Sequence, residues 1–397
     1  MEVFMTLEME SPRIVFADGD RNSVQVRLQI GNLVVSKATI IPRLMRIGRS
    51  VVRVDGIGGV ETHEQYRHKG YARRVLTEAV NKMKSGDAAL SILWGIPNFY
   101  HRFGFVSAIP AHIMSLDASV EHETIPDGWI VRPFRWEDVD SLARLHNEFI
   151  RNSVGPQLRG DSPPYSPAWN QLREEARHEC KVLIDESSTI VAYAWACSSD
   201  VWWTDFLPRQ DKNSLMLAEV VAADELAADV ILGVCVDWAK SKGLSRIDVA
   251  TPPTGNVAAA GMLLGARFTI QYHRCQEIMI RCLDPYRLLT QMEPELEYRW
   301  LHCKDQLDKF SLGIFTDEGN VTVFLDRDGA HIFEGIHDEL DGRVFIAQHE
   351  LARLSLGAYP PSAILSRLDR KPEDKTAEVL ERIFPFTGAF VCPPDSL

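Results

Sequence analysis

Paired cysteines, excess positive charge and long apolar runs are all missing from this chain. Its seven cysteines are scattered from Cys180 to Cys392 with no C-x-x-C spacing, so a zinc knuckle or a disulfide framework has no basis. Against 55 acidic side chains stand 43 lysines and arginines, a formal charge of −12. A general affinity for nucleic acid or anionic membrane is therefore not expected. No apolar run reaches the roughly 18–20 residues needed to cross a bilayer. Met1 to Glu8 has no cationic start followed by an apolar stretch, which makes a cytoplasmic location the expectation. His63-Glu64 begins like a zincin helix, but Arg67 stands where the second histidine belongs. Gly56-Ile57-Gly58-Gly59 lacks the third glycine and the helix of a dinucleotide loop. Neither motif is complete, and no metal is expected.

What is present is an ordinary globular composition, 45% apolar and 25% charged over 397 residues. At roughly 150 residues per domain this is two or three domains. Residues 24–30 alternate with period two, and 13–17 and 51–62 are apolar runs beside Gly and Asp turns, which predicts strands. From Ala72 the apolar residues Val75, Leu76, Ala79, Val80 and Met83 recur at helical spacing, and a strand over 89–94 follows. Asp127-Gly128 reads as a boundary. Beyond it come an amphipathic helix, strands at 182–185, 190–197 and 216–221, a helix over 226–242, a strand at 247–251, a short helix near 257–264 and a final strand. That order is a mixed α/β layer. The acidic last hundred residues offer strands at 310–315, 321–325 and 344–347, short helices at 350–356 and 376–383, and a proline-bearing tail that should be extended.

The stretch with most chemical content runs from Val60-Glu61-Thr62 through Arg67-His68-Lys69-Gly70-Tyr71-Ala72-Arg73. It places R-x-x-G-x-A between a strand and a well-patterned helix. Small residues let the backbone approach an anion, whose charge falls on the free N–H groups and positive dipole of the helix start. Six lysines and arginines against two glutamates lie between His63 and Lys84, a basic island in an acidic protein. About 30 residues further on stands Phe99-Tyr100-His101-Arg102-Phe103-Gly104-Phe105.

These two segments, in this order, resemble the GNAT superfamily of acetyl-CoA-dependent N-acetyltransferases. Residues 129–282 are similar to a second GNAT unit, from Arg132-Pro133 to Gly265-Ala266-Arg267-Phe268. After its central strand, however, the chain reads Ala222-Ala223-Asp224-Glu225, with negative charge where a pyrophosphate would sit. Residues 310–360 and the ending Pro393-Pro394-Asp395-Ser396-Leu397 resemble the sterol-carrier-like domain and tail of the Eis (enhanced intracellular survival) type. The resemblance implies an α/β (α+β) fold of two tandem GNAT-like mixed sheets flanked by helices plus a C-terminal sterol-carrier-like α+β domain. Its divisions are 1–127 with the acetyl-CoA site, 128–290 as a degenerate copy, and 291–397.

The resemblance further implies acetyl transfer from acetyl-CoA to a primary amine, on a small molecule or a lysine side chain. It implies Tyr100 as general acid and the terminal carboxylate of Leu397 as general base. Acetyl-CoA would lie against Val60, Glu61, Thr62, Arg67, His68, Lys69, Gly70, Tyr71, Ala72, Arg73, Gly95 and Ile96. The Eis type also implies a homo-oligomer, a hexamer. One departure is plain in the residues: no helical pattern precedes Gly70, where GNAT units carry two helices that build much of the acceptor pocket. Two alternatives therefore stand beside the enzyme. One is a non-catalytic lipid-binding or scaffold protein, the other an acyl-CoA sensor with a relic site.

Overall fold

The computed structural model describes residues 11–160, 167–174, 178–198, 201, 203–204, 207–208, 213–274, 277–303 and 308–396. The fold is mixed α/β. Four antiparallel strands open it: β1 (Arg13–Asp18), β2 (Val24–Ile30), β3 (Leu33–Ile47) and β4 (Ser50–Thr62). Short turns join them, with no α-helix among the described residues before α1 (Tyr71–Lys84). Then come β5 (Leu90–Gly95), β6 (Val106–Ser107) and β7 (Ala111–Asp117). The middle of the chain forms β8 (Ile130–Pro133), α2 (Val139–Phe149), β9 (Val154–Gln157), α3 (Pro167–Glu174), β10 (His178–Ile184), β11 (Ile190–Cys197) and β12 (Ser214–Ala222). It continues with α4 (Glu225–Ser241), β13 (Arg246–Val249), α5 (Asn256–Leu263), β14 (Arg267–Gln271) and β15 (Glu277–Cys282). The C-terminal part holds α6 (Pro285–Gln291), α7 (Glu293–Leu301), β16 (Phe310–Thr316), β17 (Gly319–Leu325), β18 (Ala330–Glu334), β19 (Gly342–Phe345), α8 (Gln348–Leu356), α9 (Pro361–Leu365) and α10 (Asp374–Ile383). No helix among the described residues is long and apolar enough to cross a membrane.

The strands make three sheets, ordered β1-β2-β3-β4-β5-β15-β6 with β9 on β3, β14-β7-β13-β12-β11-β10-β8, and β18-β17-β16-β19. The first two are built alike, each with one parallel pair flanking a helix: β4-α1-β5 and β12-α4-β13. They also exchange strands. β7, from the first unit, pairs with β13 and β14 in the second sheet, while β15 pairs with β5 and β6 in the first. The chain therefore passes from the first sheet to the second between Ser107 of β6 and Ala111 of β7, and returns between Gln271 of β14 and Glu277 of β15.

Packing fixes the layers. One face of the first sheet buries Val26, Leu28, Leu93 and Met279 against Val75, Leu76, Ala79 and Met83 of α1, the residues whose spacing predicts that helix. The other face buries Met45, Val52, Val54 and Ile92 against Leu296, Trp300 and the C-terminal sheet. Helix α4 is buried nearly all round, among Leu217, Val220, Ile247 and Met114 of the second sheet, which explains its weak amphipathic pattern. Strand β3 was not legible in the sequence because Pro42 interrupts it. Pro42 is tolerated since it lies between the stretch of β3 that pairs with β2, ending at Ile40, and the stretch that pairs with β9, from Met45.

Candidate functional site

Strands β4 and β5 run side by side only through Val54↔Leu90, Asp55↔Ser91 and Gly56↔Ile92. Beyond Gly56, β4 continues to Thr62 on β3 alone, and β5 continues to Gly95 on β15. The two strands part, and the facing edge of β4 keeps backbone groups that no strand satisfies, a place for an extended ligand. Gly59, at φ +57°, supports the bulge where the β3–β4 register shifts. Asp55 sits at the root of this fork, where burial pushes its carboxyl up to about 6.

The helix facing the fork has a bare start. Gly70 caps α1 at φ +78° with no side-chain hydrogen bond, and no acidic residue lies in the first turn. A Cβ at Gly70 would meet nothing within 4 Å; glycine serves the left-handed backbone there rather than close packing. His68 is also left-handed, at φ +63°. Arg67 donates from Nε to the Thr62 carbonyl (3.3 Å) and the Lys69 ammonium lies 5.0 Å from the centre of the Tyr66 ring. Tyr71, Ala72 and Arg73 form the first turn. At the end of β4, Thr62 and Ser36 share a 2.9 Å hydroxyl hydrogen bond, and Glu61 meets Lys37 at 3.2 Å. Val60, Glu61, Thr62 and Arg67 also border a groove of about 950 Å³ over β2, β3 and β4.

Across the fork, Gly95 ends β5, and Ile96 beside it is exposed. Tyr100 stands in the 3₁₀ turn Tyr100–Phe103, against Gly95, Phe99 and Phe105. Burial raises its hydroxyl above the ordinary value, so the phenol keeps its proton at neutral pH. Leu397 lies outside the described residues. The tail before it is anchored: Phe390 N–H donates to the Val154 carbonyl (3.0 Å), and Asp395 meets Arg159 at 2.9 Å.

The second unit repeats the fork and closes it. β12 and β13 pair from Ser214↔Arg246 to Leu217↔Val249, then part. Asn256 Nδ2 bridges back to the Ala222 carbonyl at 3.0 Å, and Asp224 Oδ1 accepts the Ala227 N–H at 2.8 Å. The α4 start thus already carries a carboxylate where α1 has none. Elsewhere His146 and Glu219 of this unit and Cys392 of the tail bring donor atoms within 4.8 Å of one another. The Arg159 guanidinium already holds both oxygens of Glu219 (2.7 and 3.1 Å), which argues for an ion-pair centre over a metal site.

Sequence reasoning missed the residues delivered by the exchanged strands. Glu277 of β15 pairs with Gly95, and His112 of β7 lines a small cavity with Glu277 and Trp94. No local pattern marks either residue, because strand exchange is a long-range choice.

The acetyltransferase (GNAT) domain family matches residues 17–108. No curated protein sequence matches the chain. Among solved structures it is similar to a GCN5-related N-acetyltransferase from Kribbella flavida, at 15% identity and TM-score 0.68, over 94% of this chain and 87% of that one. A GCN5-related N-acetyltransferase from Anabaena variabilis gives 14%, 0.68, 93% and 89%. Eis1 from Mycobacterium abscessus gives 12%, 0.64, 94% and 91%. At these identities the likeness concerns the fold, which is that of the GNAT acetyltransferases.

Proposed function

We propose that this protein is an acetyl-CoA-dependent N-acetyltransferase that passes the acetyl group to a primary amine, on a small molecule or a lysine side chain. The observation that carries the reading is the β4–β5 fork facing the uncapped, basic start of α1. The N–H groups of Gly70 to Arg73, with Arg67 and Lys69, would take the pyrophosphate. The open edge of β4 at Val60–Thr62 would bind the extended arm and offer N–H groups to the developing oxyanion, and Gly95 and Ile96 would border the thioester. Tyr100, protonated in its buried setting, would give its proton to the departing thiolate. The Eis-like assignment, a sterol-carrier-like C-terminal domain and the Leu397 carboxylate as base belong to the same proposal.

Two measurements test it. Tyr100→Phe should lower turnover by roughly 10²-fold, within the usual range for a general acid, while acetyl-CoA affinity by calorimetry stays within about twofold. Unchanged turnover would remove Tyr100 from the chemistry. Gly70→Asp should weaken acetyl-CoA binding, because a carboxylate would repel the pyrophosphate and the left-handed backbone at φ +78° disfavours any side chain. The expected loss of acetyl-CoA affinity is about 100-fold, corresponding to roughly 2.7 kcal/mol. Tight acetyl-CoA binding in the wild type without turnover on any amine would favour the sensor reading instead.

A further inference from the structure

A cavity of about 30 Å³ lies where the two units exchange strands, between Trp94 of β5, Glu277 of β15, His112 of β7, Trp203 and Phe390 of the tail. Its polar groups are unusual. His112 is 5% exposed, and its Nε2 lies 3.1 Å from the Ala389 carbonyl. That contact places the ring proton on Nε2, so Nδ1 is a lone-pair acceptor, and it is buried without a hydrogen-bond partner. Glu277 is 5% exposed, holds a left-handed backbone at φ +66°, and is ion-paired with His273. A non-glycine residue stays in that conformation only where the surrounding structure holds it there. Its strand partner is Gly95, against which Tyr100 packs.

Acceptor groups inside aromatic walls make a receptor for a cation that donates hydrogen bonds. We infer that this cavity takes the tip of an unbranched primary ammonium, held by the Glu277 carboxylate and His112 Nδ1 between Trp94, Trp203 and Phe390. At about 30 Å³ the space exceeds the ~10–15 Å³ that one water needs, and it favours a slender ammonium tip over a nitrogen borne on a branched carbon.

Insofar as acetyl transfer is the reaction, Glu277 is its first proton acceptor, in place of the Leu397 carboxylate that the Eis-type resemblance implies. The bound ammonium gives one proton to Glu277. The freed lone pair forms the C–N bond to the thioester carbonyl carbon, and the C–S bond breaks. The thiolate takes its proton from Tyr100, which is restored by the second proton leaving the nitrogen, and Glu277 returns its proton to solvent. Burial supports this role, pushing the Glu277 carboxyl up to about 8 and holding His273 low and His112 at about 4. His273 pairs with Glu277, and His112 lines the same cavity. From β5, the segment after β13 and the tail the cavity receives Trp94, Ala250, Thr251, Phe390 and Val391, which carry no charge.

The test is calorimetry on the full chain without acetyl-CoA, at pH 7, with n-butylammonium and with tert-butylammonium in buffers of different ionisation enthalpy. The linear ion should bind and release about one proton, since a carboxyl of pKa about 8 must ionise beneath it. The branched ion should bind at least tenfold more weakly. Glu277→Gln should abolish the proton release, and His112→Phe should weaken binding about tenfold without abolishing it. A cavity that holds only water gives no heat with either ion and overturns the proposal, as does equal binding of the two ions. Turnover of a linear amine that survives Glu277→Gln overturns the proton-acceptor role. Ammonium binding with its proton release, in a protein that does not bind acetyl-CoA, would sustain this site and refute the acetyltransferase reading.

Discussion

Replacing Arg159 by methionine is expected to cost roughly 3–5 kcal/mol of folding stability, the usual result of leaving a buried charge without its partner. Arg159 is 1% exposed and pairs with Glu219 at 2.7 Å and Asp395 at 2.9 Å, both also buried. Glu219 further accepts from Tyr193 Oη at 2.8 Å, and His146 Nδ1 lies 3.1 Å from it. Burial alone would push the Glu219 carboxyl up, but the Arg159 guanidinium and His146 outweigh it and hold it well below the usual range. A carboxyl depressed on folding contributes stability above its unfolded pKa, and that contribution is lost as pH falls below about 4.5. The difference between wild type and Arg159→Met should thus be large at pH 7, begin to fall below about pH 4.5 and shrink most at pH 3 and below. Urea midpoints at pH 7 and pH 3 measure it. A loss below about 1 kcal/mol at pH 7 would mean the centre is solvated. Because Asp395 belongs to the tail, the variant should also release the C-terminus to carboxypeptidase.

The second large effect concerns the exchanged strands. Residues 1–127 produced alone should not fold, and co-production with 128–397 should restore a soluble complex. The reason is the core each strand supplies to the other unit. β15 buries Met279, Ile280 and Cys282 in the first sheet, and β7 buries Ile113, Met114 and Leu116 in the second. At roughly 1.5–3 kcal/mol per fully buried large side chain, these strands supply a stabilisation comparable with the whole net stability of a domain, about 5–15 kcal/mol. Circular dichroism and a thermal melt decide it. A cooperative melt of 1–127 alone would show that the first sheet closes without β15.

The acidic second fork and the basic first one illustrate how far local reading reaches. A carboxylate at the start of α4 and none at the start of α1 is a property of five or six consecutive residues. Its consequence, a helix start that is occupied or open, follows from geometry common to all helices. That no α-helix stands before Gly70 among the described residues was legible for the same reason, since the helical period is missing there. Strand β3 shows the limit. Pro42 argues against a strand interior unless one knows that no neighbour needs its N–H at that point.

Residue order alone determined the βαβ unit at Arg67–Ala72, the aromatic segment holding Tyr100 and the charge contrast between the two forks, because each is written in spacings shorter than a single element. Only the tertiary structure decided which sheet receives β7 and β15, and with them the meeting of Glu277, His112 and Trp94. It likewise assembled Arg159, Glu219 and Asp395, which lie far apart in the chain. Alternation specifies that a strand has a buried face, but any sheet edge of matching register and apolar surface can receive it. The choice between edges is made by the summed burial of the whole molecule.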